Sequence, residues 1–262
     1  MKYCIVTCIF NNYEPIREPL EMDLNADYFL FTDDKSITSS KWKVIYLREF
    51  DTNKLLGIQK TYIFKYTFYK YIDISKYKYF IQLDSSIVIY KSLAPIINYI
   101  DTNNYDISVA PHYWRDNFND EYTIWKYGRR LNQKYIDIFF NNIKDYDFNS
   151  IKGLVECSFK IYHNTKYVLE FIDSINNIMT KCNNNEDAND QCYFTYCLYK
   201  YLDKLNVNYH SASLYRYSNY MKMYVHGTNN TTQNNELIYQ SYNINFLGRD
   251  IKINKLDAYD NF

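Results

Sequence analysis

The chain has 262 residues, enough for one α/β core of ordinary domain size. Its 30 Lys and Arg balance 30 Asp and Glu, so the basic excess with which a nucleic-acid-binding protein meets phosphates is missing and no nucleic-acid partner is expected. A hydrophobic share of 47%, with 19% aromatic, supports a buried core and excludes wholesale disorder.

In chain order, segments 3–10, 28–32, 43–47, 79–83 and 107–110 are short and rich in β-branched and aromatic residues, and polar clusters bound them, as expected of buried strands. Segment 59–72 reads as a helix through Tyr62, Ile63, Tyr66, Tyr69 and Ile72, with Lys60, Lys65 and Lys70 as charge elsewhere on its surface. Val168, Phe171, Ile172, Ile175, Ile178 and Met179 share one helix face, and Phe194, Cys197, Leu198, Tyr201, Leu202 and Leu205 share another. Strands alternating with helices predict an α/β fold, a mainly parallel sheet with helices on both faces. The Asn-rich stretches 183–190 and 228–235 read as loops.

The five glycines, Gly57, Gly128, Gly153, Gly227 and Gly248, are too scattered for a phosphate-cradling loop, which removes dinucleotide-dehydrogenase and P-loop readings. Neither a signal peptide nor an apolar run of about 20 residues is present, so a cytoplasmic protein without a membrane span is expected. Cys4, Cys8, Cys157, Cys182, Cys192 and Cys197 form no CxxC pair and read as small core residues.

Ligands of open parallel sheets bind beyond the carboxyl ends of strands, so acids at those ends are the first candidates. Strand 28–32 runs into Asp33-Asp34, and strand 79–83 runs into Asp84-Ser85-Ser86 before the apolar Ile87-Val88-Ile89. A carboxylate between two apolar runs needs a cation or hydrogen-bond donors; the plain alternative is a turn-forming Asp.

Tyr79-Phe80-Ile81-Gln82-Leu83-Asp84-Ser85-Ser86-Ile87 resembles the DxD strand end of GT-A glycosyltransferases, and more closely a glycosyltransferase-like domain family of plant cell-wall and mucilage proteins. Further similar segments follow in the family's order. They are Tyr28 to Asp34 with Trp42-Lys43-Val44-Ile45, then Lys60 and Lys65, then Pro111-His112-Tyr113-Trp114-Arg115-Asp116 with Glu121. Gly153-Leu154-Val155-Glu156 with Tyr162-His163-Asn164 comes next, then Asp190-Gln191. The resemblance implies one GT-A domain over 1–262, its half 1–110 holding the nucleotide and 111–262 the sugar and acceptor in a smaller lobe. It implies transfer of a sugar from a UDP-sugar to an unidentified acceptor, with Mn²⁺ or Mg²⁺ on the diphosphate.

By the same resemblance, Asp84, Ser86 and His226 would hold the metal, with His210 the lesser alternative to His226. Lys65 and Lys60 would add charge at the diphosphate, and Asp33 or Asp34 would receive uracil or ribose. Thr7 and Ile9 would flank the nucleotide, with Ser85, His112 and Arg115 on the donor side. Glu156, Asp190 and Gln191 would serve the reacting sugar, the Asp-Gln pair leaning towards retention as in glycogenin-like enzymes; inversion would use Glu156 or Asp190 as a base. Ser86 departs from the pattern, because a hydroxyl is a poorer ligand than a carboxylate for a hard divalent ion. The rival readings are a non-catalytic nucleotide-sugar or glycan-binding protein on the same scaffold, and a metal-dependent hydrolase or nucleotidyltransferase built on Asp33, Asp34 and Asp84.

Overall fold

The structure, a computed structural model, describes residues 1–51, 55–112, 114–124, 133–147, 151–182, 190–216, 218–225, 228 and 242–254; for 133–136 and 242 it describes the backbone alone. Strands β1 (Tyr3–Ile9), β2 (Ala26–Thr32), β3 (Lys43–Tyr46) and β4 (Tyr79–Leu83) lie within a residue or two of their expected bounds. After them come β5 (Ile87–Ile89), β6 (Ile107–Pro111), β7 (Val155–His163), β8 (Val207–Tyr209), β9 (Met221–Met223), β10 (Tyr242–Phe246) and β11 (Arg249–Ile253).

Seven strands make the central sheet in the order β3-β2-β1-β4-β7-β6-β8. Parallel pairing joins β3, β2, β1 and β4, and also β6 and β8; β7 alone runs antiparallel to its neighbours, β4 and β6. The α/β class and the mainly parallel sheet therefore stand, and strands from both halves of the chain share that sheet. Two-stranded ribbons, β5 with β9 and β10 with β11, lie outside it.

Helices cover both faces. Alternating residues of β1 divide between two cores: Cys4, Val6 and Cys8 face one, and Tyr3, Ile5 and Ile9 face the other. The first core takes side chains from α2 (Gly57–Lys65), α5 (Gln133–Asn142), α6 (Lys166–Lys181) and α7 (Asp190–Tyr201), and also from the short α1 (Arg48–Asp51) and α4 (Phe118–Thr123). The second takes Ile96, Ile97 and Ile100 of α3 (Ala94–Thr102) with Leu214 and Tyr215 of α8 (Ser213–Arg216). All six cysteines are free and buried, as their spacing implied. Among the described residues no helix is long and apolar enough to cross a membrane.

Two helices are shorter than the sequence pattern suggested. α2 ends at Lys65, and Phe68–Lys70 follows as a separate 3-10 turn. Phe64, Tyr66 and Phe68 are all buried, an alternation that one straight helix could not bury on one side. α7 ends at Tyr201, yet Leu202 and Leu205 stay buried because the chain folds back, the Leu205 amide donating to the Tyr201 carbonyl at 3.0 Å. Apart from Asp190 and Thr228, the two Asn-rich stretches lie outside the described residues.

Candidate functional site

The carboxyl ends of β1 and β4, the inner side of α2, the start of β7 and the first turn of α7 enclose a cleft of about 860 Å³, counting the solvent at its mouth. Thr7 and Cys8 line it from β1, and Gln82 and Leu83 from β4, with Asp84 and Ser85 just beyond. Helix α2 contributes Ile58, Thr61, Tyr62, Phe64 and Lys65; Tyr13, Cys157, Ser158, Asp190 and Gln191 complete the wall. Cys157 and Ser158 reach it because β7 bulges: Ser108 of β6 pairs with Ile161, but Ala110 pairs with Glu156, which leaves extra β7 residues between. Helix α2 approaches β1 closely at Gly57, where a Cβ would stand 2.5 Å from the Phe10 carbonyl oxygen, so only glycine fits.

A buried charge cluster sits in this wall. The Lys65 ammonium is 2.7 Å from Oδ1 of Asp84 and 3.4 Å from Oδ2 of Asp190, and it donates to the Cys157 carbonyl at 3.3 Å. Asp190 Oδ2 also accepts from the Tyr66 hydroxyl at 3.0 Å and faces the Lys160 ammonium at 4.0 Å. Burial would push the Lys65 pKa down, but the carboxylates of Asp190 and Asp84 outweigh it and hold the pKa well above the ordinary lysine value. Lys160 is fully buried, and burial pushes its pKa down; its head lies 5.1 Å from the Tyr66 ring centre and 5.3 Å from that of Phe194. Lys65 thus spends its three donors on protein acceptors, so the structure makes it the clamp between two acids rather than a free cation for a diphosphate.

The cleft also holds orphaned polar atoms. Thr7 Oγ1 and Gln82 Oε1 are buried without a hydrogen-bond partner among the described residues, on side chains that line the cleft. Such atoms are uncommon in folded proteins, and a bound hydroxyl, amide or water would satisfy them.

The structure does not bring the remaining sequence candidates into this wall. Asp33 and Lys60 are buried against each other at 2.6 Å; Lys60 also donates to Asn11 Oδ1 at 2.6 Å, and the Asn11 amide donates to Asp33 Oδ1 at 2.8 Å. Lys60 is therefore an internal counter-ion, not surface charge. Asp34 takes the turn role, its carboxylate accepting from the Ser36 amide and hydroxyl, which holds its pKa below the usual range. With Asp33 neutralised, Asp34 in a turn and Asp84 on Lys65, the three acids do not form the cluster a carboxylate-based hydrolase needs. Ile9 belongs to the second core rather than to the cleft.

Glu156, His112 and Arg115 form a second polar group around the end of β6. Glu156 is buried and paired with Arg216 of α8, and Arg115 is paired with the fully buried Glu121. His112 accepts from the Arg115 amide at 3.2 Å; burial, with Arg115 and Arg216 nearby, pushes its pKa down to about 3, so the ring is neutral. None of the three lines the cleft. Trp114 next to them is 66% exposed.

Among the described residues no divalent-ion site is assembled. Asp84 Oδ1 is already on Lys65, and Ser86 is fully buried and absent from the cleft wall. His210 is fully buried, its Nδ1 2.9 Å from Ser108 Oγ. His226 lies outside the described residues, and among those described no group of three His, Cys, Asp or Glu side chains is placed to hold a metal.

Sequence reasoning missed Gln82, Cys157, Lys160, Tyr66 and Arg216. Two of these carried a signal, since Gln82 and Lys160 each interrupt an apolar strand, Ile81-Gln82-Leu83 and Phe159-Lys160-Ile161. Arg216 carried none, because its partner Glu156 is 60 residues away.

No protein-family model matches the chain, and no curated protein sequence does. Among solved structures the chain is similar to the mannosyltransferase Ktr4p from S. cerevisiae, with 11% identity over 79% of this chain and 68% of that one and a TM-score of 0.43. It is also similar to the glycosyltransferase GlyE of Streptococcus pneumoniae TIGR4, with 11% identity over 83% of this chain and 47% of that one and a TM-score of 0.42. The chain thus spans just under half the length of the latter.

Proposed function

We propose that the cleft binds a nucleotide-sugar and that the protein is a glycosyltransferase, with a UDP-sugar as donor. The observation that carries this reading is the convergence of Asp84 and Asp190 on Lys65 at the carboxyl ends of the central strands, beside the orphaned Thr7 and Gln82 atoms. Two carboxylates against one ammonium suit a neutral group rich in hydroxyls, because carboxylate oxygens accept several hydrogen bonds at once. Tyr13, Ile58, Tyr62 and Phe64 add the apolar and aromatic surface that a base ring needs.

This assignment changes the roles given to single residues. Asp190 is loaded with Tyr66 and Lys65, which makes it a holder of sugar hydroxyls and a poor base. Glu156 is locked on Arg216 away from the wall, which removes the second candidate base. Gln191 is then the polar side chain beside the sugar, which favours transfer with retention.

The test is incubation with UDP-glucose, UDP-galactose, UDP-N-acetylglucosamine and GDP-mannose, with chromatography of the nucleotides. Release of nucleoside diphosphate supports the reading; release of monophosphate contradicts it. One observation favours a second reading, a protein that binds the donor without turning it over: both acids are already compensated inside the fold. Binding with no release of nucleotide would select it.

A further inference from the structure

Asp190 lines the cleft and is held from inside the fold. Three groups converge on its Oδ2: the Tyr66 hydroxyl at 3.0 Å, the Lys65 ammonium at 3.4 Å and the Lys160 ammonium at 4.0 Å. Among the described residues no group engages its Oδ1. A carboxylate can serve two sides in this way, one oxygen turned to the protein and the other to a ligand.

Of the three contacts only that of Tyr66 has the length of a hydrogen bond. At 3.4 and 4.0 Å the two ammonium groups attract the carboxylate without fixing its direction. The torsion that turns a carboxylate is broad, so charge alone lets its two oxygens exchange places. Tyr66 directly follows the last residue of α2 and is fully buried, and its ring centre lies 6.4 Å from that of Phe194, one turn along α7 from Asp190. Burial, with the Asp190 carboxylate beside it, raises the Tyr66 pKa well above the ordinary phenol value, which keeps the hydroxyl a donor. The Cys157 sulfur, 3.8 Å from the same hydroxyl, is the weaker acceptor. Tyr66 itself does not line the cleft.

We propose that Tyr66 is a positioning residue of this site: its hydroxyl fixes Oδ2 of Asp190 inside the fold, so that Oδ1 faces the cleft and accepts from a hydroxyl of the sugar. This rests on the nucleotide-sugar reading of the cleft. An oxygen oriented in advance loses no rotational freedom when the ligand arrives, which lets a side chain outside the wall set affinity inside it. UDP without its sugar makes no use of that oxygen.

The experiment is calorimetric titration of the parent, Tyr66→Phe, Asp190→Ala and their double variant with UDP and with UDP-glucose. Tyr66→Phe removes one oxygen and keeps the ring against Phe194, and circular dichroism checks its fold. The expected result is UDP-glucose binding about tenfold weaker in Tyr66→Phe, with UDP binding within about twofold of the parent. In the Asp190→Ala background the same change should alter UDP-glucose binding by less than about twofold, because Tyr66 acts through Asp190. Unchanged UDP-glucose binding by Tyr66→Phe overturns the inference and leaves the nucleotide-sugar reading standing. Equal weakening of UDP and UDP-glucose, or an undiminished loss in the Asp190→Ala background, overturns it as well, since the hydroxyl would then only support the wall. A parent that binds neither ligand overturns the reading of the cleft, and the inference with it.

Discussion

Lys65 holds Asp84: the ammonium of the last residue of α2 stands 2.7 Å from a carboxylate oxygen just past the end of β4. The pair ties a helix to the strand end on which the proposed donor site is built, and Asp190 brings α7 to the same nitrogen. Lys65→Met leaves Asp84 without its cation and Asp190 with only the more distant Lys160 ammonium. It should destabilise the protein by about 3–5 kcal/mol in urea unfolding. Adding Asp190→Asn should recover part of that loss.

The Lys60 and Asp33 pair gives a sharper contrast, because neither residue lines the cleft. Either single change strands a buried charge, whereas Lys60→Met with Asp33→Leu removes both. The double variant should be more stable than Lys60→Met by about 2 kcal/mol or more, and a double-mutant cycle measures it. Affinity for a cleft ligand should stay within about twofold of the parent, since a change under 0.5 kcal/mol is expected of residues off the wall.

Two buried imidazoles set the acid side of the stability profile. His112 and His210 stay neutral down to about 3, against an ordinary value of 6.5, chiefly because they are buried. Below 6.5 the unfolded chain takes up protons that the folded chain refuses, so stability falls as the pH drops towards 3. Each histidine contributes a slope of about 1.4 kcal/mol per pH unit in that window. Urea midpoints measured between neutral and mildly acid pH should show the fall, and His210→Asn should reduce its slope.

Gly57→Ala tests the close approach of α2 to β1. The added methyl meets the Phe10 carbonyl oxygen at 2.5 Å, a backbone atom that cannot swing aside. A loss of about 1–3 kcal/mol is expected. The variant should also weaken ligand binding in the cleft, because displacing α2 moves Ile58, Tyr62 and Lys65 together.

The strands were legible because fully buried parallel strands read as apolar runs, and the acid after Tyr79–Leu83 marked the strand end at which the cleft opens. What lay beyond local sequence was the direction of the α2 lysines. Whether Lys60 and Lys65 face solvent, a phosphate or a carboxylate depends on how the helix is rolled against β1 and β7, which Gly57 and the β7 bulge decide. The same limit applies to Glu156, whose capture by Arg216 is a tertiary event.

Calorimetric titration with UDP and with UDP-glucose, with and without Mn²⁺, on the parent protein, Thr7→Val and Asp84→Asn, tests the central claim most directly. The account predicts saturable binding of UDP-glucose that weakens by about tenfold in Asp84→Asn, the loss of one charge-assisted hydrogen bond. Thr7→Val should weaken UDP and UDP-glucose alike. Absence of binding to the parent under every condition, or equal binding by all three proteins, would contradict the assignment of the cleft to a nucleotide-sugar.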